Sequence, residues 1–154
     1  MTIYFLDSSA VVKRYAVETG TTWVSQLCDP ANRHTLLIAS VTLVEGAAAF
    51  AAKRRSQEMT PEAYSRGMQD FIRDAAAQYR VLGVDQQVIA LGVTLTTRQK
   101  LRGYDAVQLA VALTANAAFV GRQITPLTFV CADRDLLTAA SNEGLPTVNP
   151  NSYP

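Results

Sequence analysis

Four carboxylates stand where chemistry can use them. Asp7 closes the apolar run "IYFL", and Asp133 closes "LTFVCA". Glu45 lies in the first turns of "SVTLVEGAAAFAAKRR", and Asp105 in the first turn of "RGYDAVQLAVALTANAAF". If the two apolar runs are parallel strands, ligands bind beyond their carboxyl ends. All four acids can then face one edge of the sheet. Each has an ordinary explanation as well. Asp7 and Asp133 can be N-caps, worth about 1 kcal/mol each. Thr42 to Glu45 spells the T-x-x-E capping box. Asp105 can complement a helix dipole for about 0.3 to 1 kcal/mol. Together they are harder to dismiss, because converging carboxylates repel unless a cation sits among them. Oxygen-only ligands suit a hard divalent ion, Mg²⁺ or Mn²⁺. Such ions support phosphodiester cleavage by stabilising the attacking and leaving oxygens.

The elements that must position these acids follow from pattern and punctuation. Strands are expected at 3–6, 35–39, 80–84 and 127–132, with "PTVN" as a fifth, edge strand. Helices are expected at 8–16, 22–27, 40–55, from Thr60-Pro61 onwards, from Asp85 to about Gln99, at 102–119 and at 133–144. Thr60 followed by Pro61 is a helix start, and the apolar residues at 64, 68, 71, 72 and 75 share one helical face. The segment 102–119 is apolar almost all round and should be buried. Alternation of strands and helices predicts a parallel sheet of four to five strands with helices on both faces, an α/β/α sandwich. Residues 1–150 read as one domain and 151–154 as a loose tail.

Composition narrows the function classes. The 154 residues are 49 % hydrophobic, enough for one proper core. No unbroken apolar stretch reaches the roughly 18 residues of a membrane span, and Asp7 interrupts what would be a signal-peptide core. A membrane partner is therefore not expected. Cys28 and Cys131 make neither a disulfide framework nor a CxxC pair, which suggests a cytoplasmic protein. The single histidine, His34, falls in a loop, so a histidine base is not expected. The glycines form neither GxGxxG nor a P-loop. The net charge of +1 decides nothing about nucleic acid, but basic residues cluster at Lys53-Arg54-Arg55 and at Arg98, Lys100 and Arg102.

The stretches "FLDSSAVVKRY", "ASVTLVEGAAA", "LRGYDAVQLAVAL" and "FVCADRDLLTAASNEGLPTVNP" resemble, in order and spacing, the PIN-domain family, specifically VapC-type toxin ribonucleases of bacterial toxin–antitoxin pairs. The likeness runs through nearly the whole chain. It implies a three-layer PIN-like fold and RNA cleavage with Mg²⁺ or Mn²⁺. It implies an acidic metal site at Asp7, Glu45, Asp105 and Asp133, homodimerisation, and inhibition by a cognate antitoxin. Ser9 matches a small polar position that would orient Asp7 or a water. Asp135 would add a carboxylate on the substrate side, and Arg102 or the 53–55 cluster would meet RNA phosphate. Cys131 departs from the pattern, since many relatives carry Thr or Ser there.

The leading expectation is a metal-dependent endoribonuclease, the toxin of such a pair. The alternative is a non-cleaving RNA-binding module that blocks its target; the full acidic set argues against it, because neutral residues would repel RNA less. A phosphotransfer fold of the receiver or haloacid-dehalogenase type also places Asp after the first strand. The dehalogenase pattern wants a second Asp where Ser9 stands, and the receiver's acidic pair and lysine are missing.

Overall fold

The computed structural model describes residues 2–153. Five parallel strands form one sheet: β1 (Ile3–Leu6), β2 (Thr35–Ala39), β3 (Arg80–Leu82), β4 (Thr128–Val130) and β5 (Thr147–Val148). Their order is β3-β2-β1-β4-β5. The chain thus winds from β1 out to β3, then returns to the other side of β1 with β4. That reversal opens a crevice beyond the carboxyl ends of β1 and β4, where open α/β sheets bind ligands.

Among the described residues seven α-helices cover the sheet: α1 (Ser8–Val11), α2 (Thr21–Leu27), α3 (Val41–Arg55), α4 (Pro61–Ala77), α5 (Gln86–Arg98), α6 (Gly103–Val120) and α7 (Arg134–Asn142). Strand alternation sends Ile3 and Phe5 to one face, where Leu37, Phe129, Leu95, Leu109 and Leu136 join them. Phe5 and Phe129 stack at 5.5 Å between centroids. Leu6, Leu36, Ile38 and Val130 point to the other face, against Val11, Phe50 and Phe71. The result is the expected α/β/α sandwich, with α5 to α7 on one side and α1 to α4 on the other.

The expected caps form. Asp7, Thr60, Asp85 and Asp133 each accept from a backbone N–H in the first turn of the helix they precede. The expectations differ from the structure in several places, beginning with the strands expected at 80–84 and 127–132, which shorten to Arg80–Leu82 and Thr128–Val130. The helix expected over 8–16 ends at Val11 and tightens into a 3₁₀ turn at Val12–Arg14. There the buried Lys13 gives its ammonium to Glu18 (3.1 Å) and the Thr19 carbonyl (2.9 Å). Thr42 and Glu45 make no capping box: Ser40 is the N-cap position, and Thr42 is already the second, buried residue of α3. Ile72, counted on the buried face of α4, is 52 % exposed. The α6 helix is buried only through Ala112, and its C-terminal turns reach solvent. The C-terminal segment is docked. Pro150–Ser152 forms a 3₁₀ turn, and Tyr153 stacks on Trp23 at 4.9 Å. Gly20 makes the docking possible: at φ +88° a Cβ would lie 2.6 Å from the Pro150 carbonyl oxygen.

Away from the crevice, a buried polar network ties α4 to the 3₁₀ turn after α1. Arg14 pairs with Asp74 (3.2 Å) and donates to the Tyr79 hydroxyl (2.9 Å), while Tyr15 donates to Asp74 (3.0 Å). Every member finds a partner, as a buried network must.

Candidate active site

Asp7 sits at the end of β1 because its backbone N–H still bonds Val130 of β4 (3.1 Å) while its side chain already caps α1. It is 4 % exposed. Oδ1 accepts from the Ala10 N–H (3.0 Å) and the Ser9 hydroxyl (2.8 Å). Oδ2 accepts from the Cys131 thiol (3.3 Å). Burial outweighs these bonds and pushes the Asp7 carboxyl up to about 6. Ser9 therefore orients Asp7, and it also accepts the Ala132 N–H (2.8 Å), fastening the end of β4 to α1.

Cys131 stands where the resemblance leads one to expect a hydroxyl, and its sulfur makes hydrogen bonds of its own. Its sulfur donates to Asp7 and accepts the Asp133 N–H (3.2 Å). Burial and the neighbouring Asp7 charge push this thiol far up, so it stays a protonated donor. Asp133 caps α7 through the Leu136 N–H (2.9 Å) and is exposed.

Glu45 is half-buried one turn into α3. One oxygen, Oε2, accepts from the Ser8 hydroxyl and from the Gln108 side-chain amide (2.6 Å). Asp105, in the first turn of α6, faces Asp133 and Glu45. Burial first, then those two negative charges, raise its carboxyl above the usual range; Arg102 opposes the shift without cancelling it. The acids thus grade from buried Asp7 through half-buried Glu45 and Asp105 to exposed Asp133.

A cavity of about 280 Å³ opens here, walled by Lys100, Leu101, Arg102, Asp105, Asp133 and Asp135. Asp7 and Glu45 lie outside its wall. Lys100 pairs with Asp135 at 2.8 Å on the exposed rim, where such a pair contributes little. Arg102, the N-cap residue of α6, forms no ion pair among the described residues. Of the other basic residues expected to meet nucleic acid, Arg98 grips Glu143 (2.7 Å) and Lys53 is shared by Glu18 and Glu58, while Arg54 and Arg55 form no ion pair among the described residues.

As the side chains stand, no three His, Cys, Asp or Glu among the described residues could hold a metal ion. A four-carboxylate shell of Asp7, Glu45, Asp105 and Asp133 is thus not preassembled. The donor set still fits a hard cation in kind. It is all oxygen, and the raised Asp105 is a carboxylate short of positive charge. Mg²⁺ commonly keeps several waters and uses only one or two carboxylates, an arrangement Asp105 and Asp133 can supply.

Gln108, Ser8 and Thr42 were missed from sequence. The available signal was Gln108, one polar residue three positions after Asp105 in an apolar helix, hence on the same face.

The sequence matches no family model and no curated protein. Solved structures match in fold. PAE2754 from Pyrobaculum aerophilum superposes with a TM-score of 0.65 at 19% identity, covering 98% of this chain and 91% of that one. VapBC2 from Rickettsia felis, bound to a DNA fragment from its promoter, gives 0.62 at 16% identity, covering 96% and 98%. A toxin–antitoxin complex from Klebsiella pneumoniae gives 0.58 at 17% identity, covering 96% and 97%. The chain has the three-layer PIN-like fold, shared along nearly its whole length with chains of toxin–antitoxin complexes.

Proposed function

We propose that this chain is a metal-dependent endoribonuclease, the toxin of a bacterial toxin–antitoxin pair acting in the cytoplasm. The observation that carries the reading is the cavity beyond β1 and β4 that Asp105 and Asp133 wall together with Lys100 and Arg102; burial, and then the charges of Asp133 and Glu45, raise the Asp105 carboxyl there. Carboxylates so placed bind a cation more readily than they tolerate one another. Asp105 and Asp133 would hold Mg²⁺ or Mn²⁺, with Glu45 and Asp7 completing the site from below. When bound, the ion supplies positive charge to the scissile phosphate and acidifies water at the site. Asp7 sets the ends of β1 and α1 through Ser9 and Cys131. Arg102 and Lys100 offer positive charge to the RNA backbone, Lys100 after exchanging Asp135 for phosphate.

Partners follow from the same reading. The solved toxin–antitoxin complexes support a cognate antitoxin for this chain. A second copy would cover the α5–α6 face, where Ile89 and Val93 are exposed beside a shallow groove floored by Gly92 and Ala106. No helix of the described residues is long and apolar enough to cross a membrane.

The test is cleavage of RNA by the purified chain in Mg²⁺ or Mn²⁺, in EDTA, and with Asp105→Asn and Asp7→Asn. Metal-dependent cleavage lost in both variants is the expected result. RNA retained but uncut under every condition would move the chain to the non-cleaving binding module.

A further inference from the structure

The Gln108 side chain is 1 % exposed and oddly satisfied. Its Nε2 lies 2.6 Å from Glu45 Oε2, 2.9 Å from Ser8 Oγ and 2.9 Å from Thr42 Oγ1. Its Oε1 is buried with no partner. Turning the amide over would give that oxygen a hydroxyl donor, Thr42, since the Ser8 proton is already given to Glu45. It would also press the oxygen against the Glu45 carboxylate, which only accepts. The amide is therefore held in the orientation that serves Glu45, against its own hydrogen-bonding interest. Burying an unpaired acceptor is costly, and native proteins keep such atoms for a reason.

We infer that Gln108 is a positioning residue: its amide, with the Ser8 hydroxyl, clamps Glu45 Oε2 so that the other carboxylate oxygen, Oε1, is presented to the catalytic site. The inference rests on the ribonuclease reading above. Gln108 itself touches neither substrate nor the reacting atoms. It acts from α6 on a residue of α3, so the two helices that carry Glu45 and Asp105 share one fixed geometry. Loss of a hydrogen bond that supports a ligand or catalytic group typically costs about 10- to 100-fold in activity or metal affinity.

The experiment is a double-mutant cycle on single-turnover cleavage of a labelled bulk RNA pool, with Mn²⁺ titrated and rates normalised to the folded fraction. Gln108→Met keeps the side chain's length and removes its donors. It is expected to lower the rate or weaken the Mn²⁺ midpoint by about 10- to 100-fold while filter-bound RNA stays within about twofold of wild type. Added to Glu45→Gln, it should cost nothing further, since its effect runs through Glu45. Should Gln108→Met fail to fold, Gln108→Asn, one methylene too short to reach Glu45, carries the same test. Wild-type rate and midpoint in these variants, or a full multiplicative loss on top of Glu45→Gln, would overturn the inference. Undiminished cleavage by Glu45→Gln would overturn the inference too, whereas absence of metal-dependent cleavage in the wild type would instead overturn the ribonuclease reading.

Discussion

Replacing Asp7 by Asn should make the metal-free protein more stable while abolishing its activity. The carboxyl is raised from 3.8 to about 6 by burial. At 1.36 kcal/mol per pKa unit, that corresponds to about 3 kcal/mol in favour of the neutral form in the folded state. The sign follows from proton linkage. Between the two values the folded chain holds a proton that the unfolded chain has released. Asp7's contribution to stability is thus complete below 3.8 and is lost as pH rises through about 6. Asn is neutral throughout, and its carbonyl oxygen can still cap α1 through the Ala10 N–H. The assay is thermal melting of both proteins in EDTA from pH 4 to pH 8. The gap in melting temperature should be close to zero at the acid end. Above pH 7 the variant should melt about 6 to 12 °C higher, at about 2–4 °C per kcal/mol for a chain of this size. Mn²⁺ at pH 7.5 should raise the wild type and close part of the gap. A gap that ignores pH, or a variant less stable than wild type at pH 7.5, would refute the reasoning. Ser9, Cys131 and the α1 N-terminus would then compensate the charge better than burial penalises it.

The core and the thiols give further tests. A Cβ at Gly46 would lie 2.9 Å from the Phe71 ring, so Gly46→Ala should destabilise by about 1–3 kcal/mol in denaturant melts, by parting α3 from α4. Tyr79→Phe removes the hydroxyl that Arg14 and Tyr15 meet at 2.9 Å each; it should cost about 1–3 kcal/mol and leave RNA cleavage unchanged, since Tyr79 precedes β3 at the sheet end opposite the crevice. Burial raises both the Cys28 and Cys131 thiols, so an aromatic disulfide reagent should label neither quickly in the native state and both after unfolding.

The layers and the crevice were legible because each depends on local signals: apolar runs of strand length, Thr60-Pro61, and aspartates at the three helix starts where Asp7, Asp85 and Asp133 cap. What escaped depends on contacts distant in sequence. The C-terminal residues look loose until Gly20 and Trp23 are seen beneath Pro150 and Tyr153. Arg98 and Lys53 look available to nucleic acid until Glu143 and Glu18 are found on them. The number of acids near the crevice was legible too, but not their spread from buried Asp7 to exposed Asp133.

Thr42 and Glu45 illustrate why a local motif can mislead at a site. T-x-x-E reads as a capping box because both residues can reach the backbone of the same helix end. Here the helix begins earlier, at Val41 behind the N-cap position Ser40, and both side chains turn inward to Gln108 of α6. A cap would have spent Glu45 on one backbone N–H. Tied instead to Ser8 and Gln108 through a single oxygen, Glu45 keeps Oε1 unbonded among the described residues while its backbone continues the helix. The same positions thus serve two incompatible ends, and tertiary contact decides between them. The unpartnered Gln108 oxygen marks the cost of that choice: the amide points its nitrogen at Glu45 and leaves its own acceptor unsatisfied.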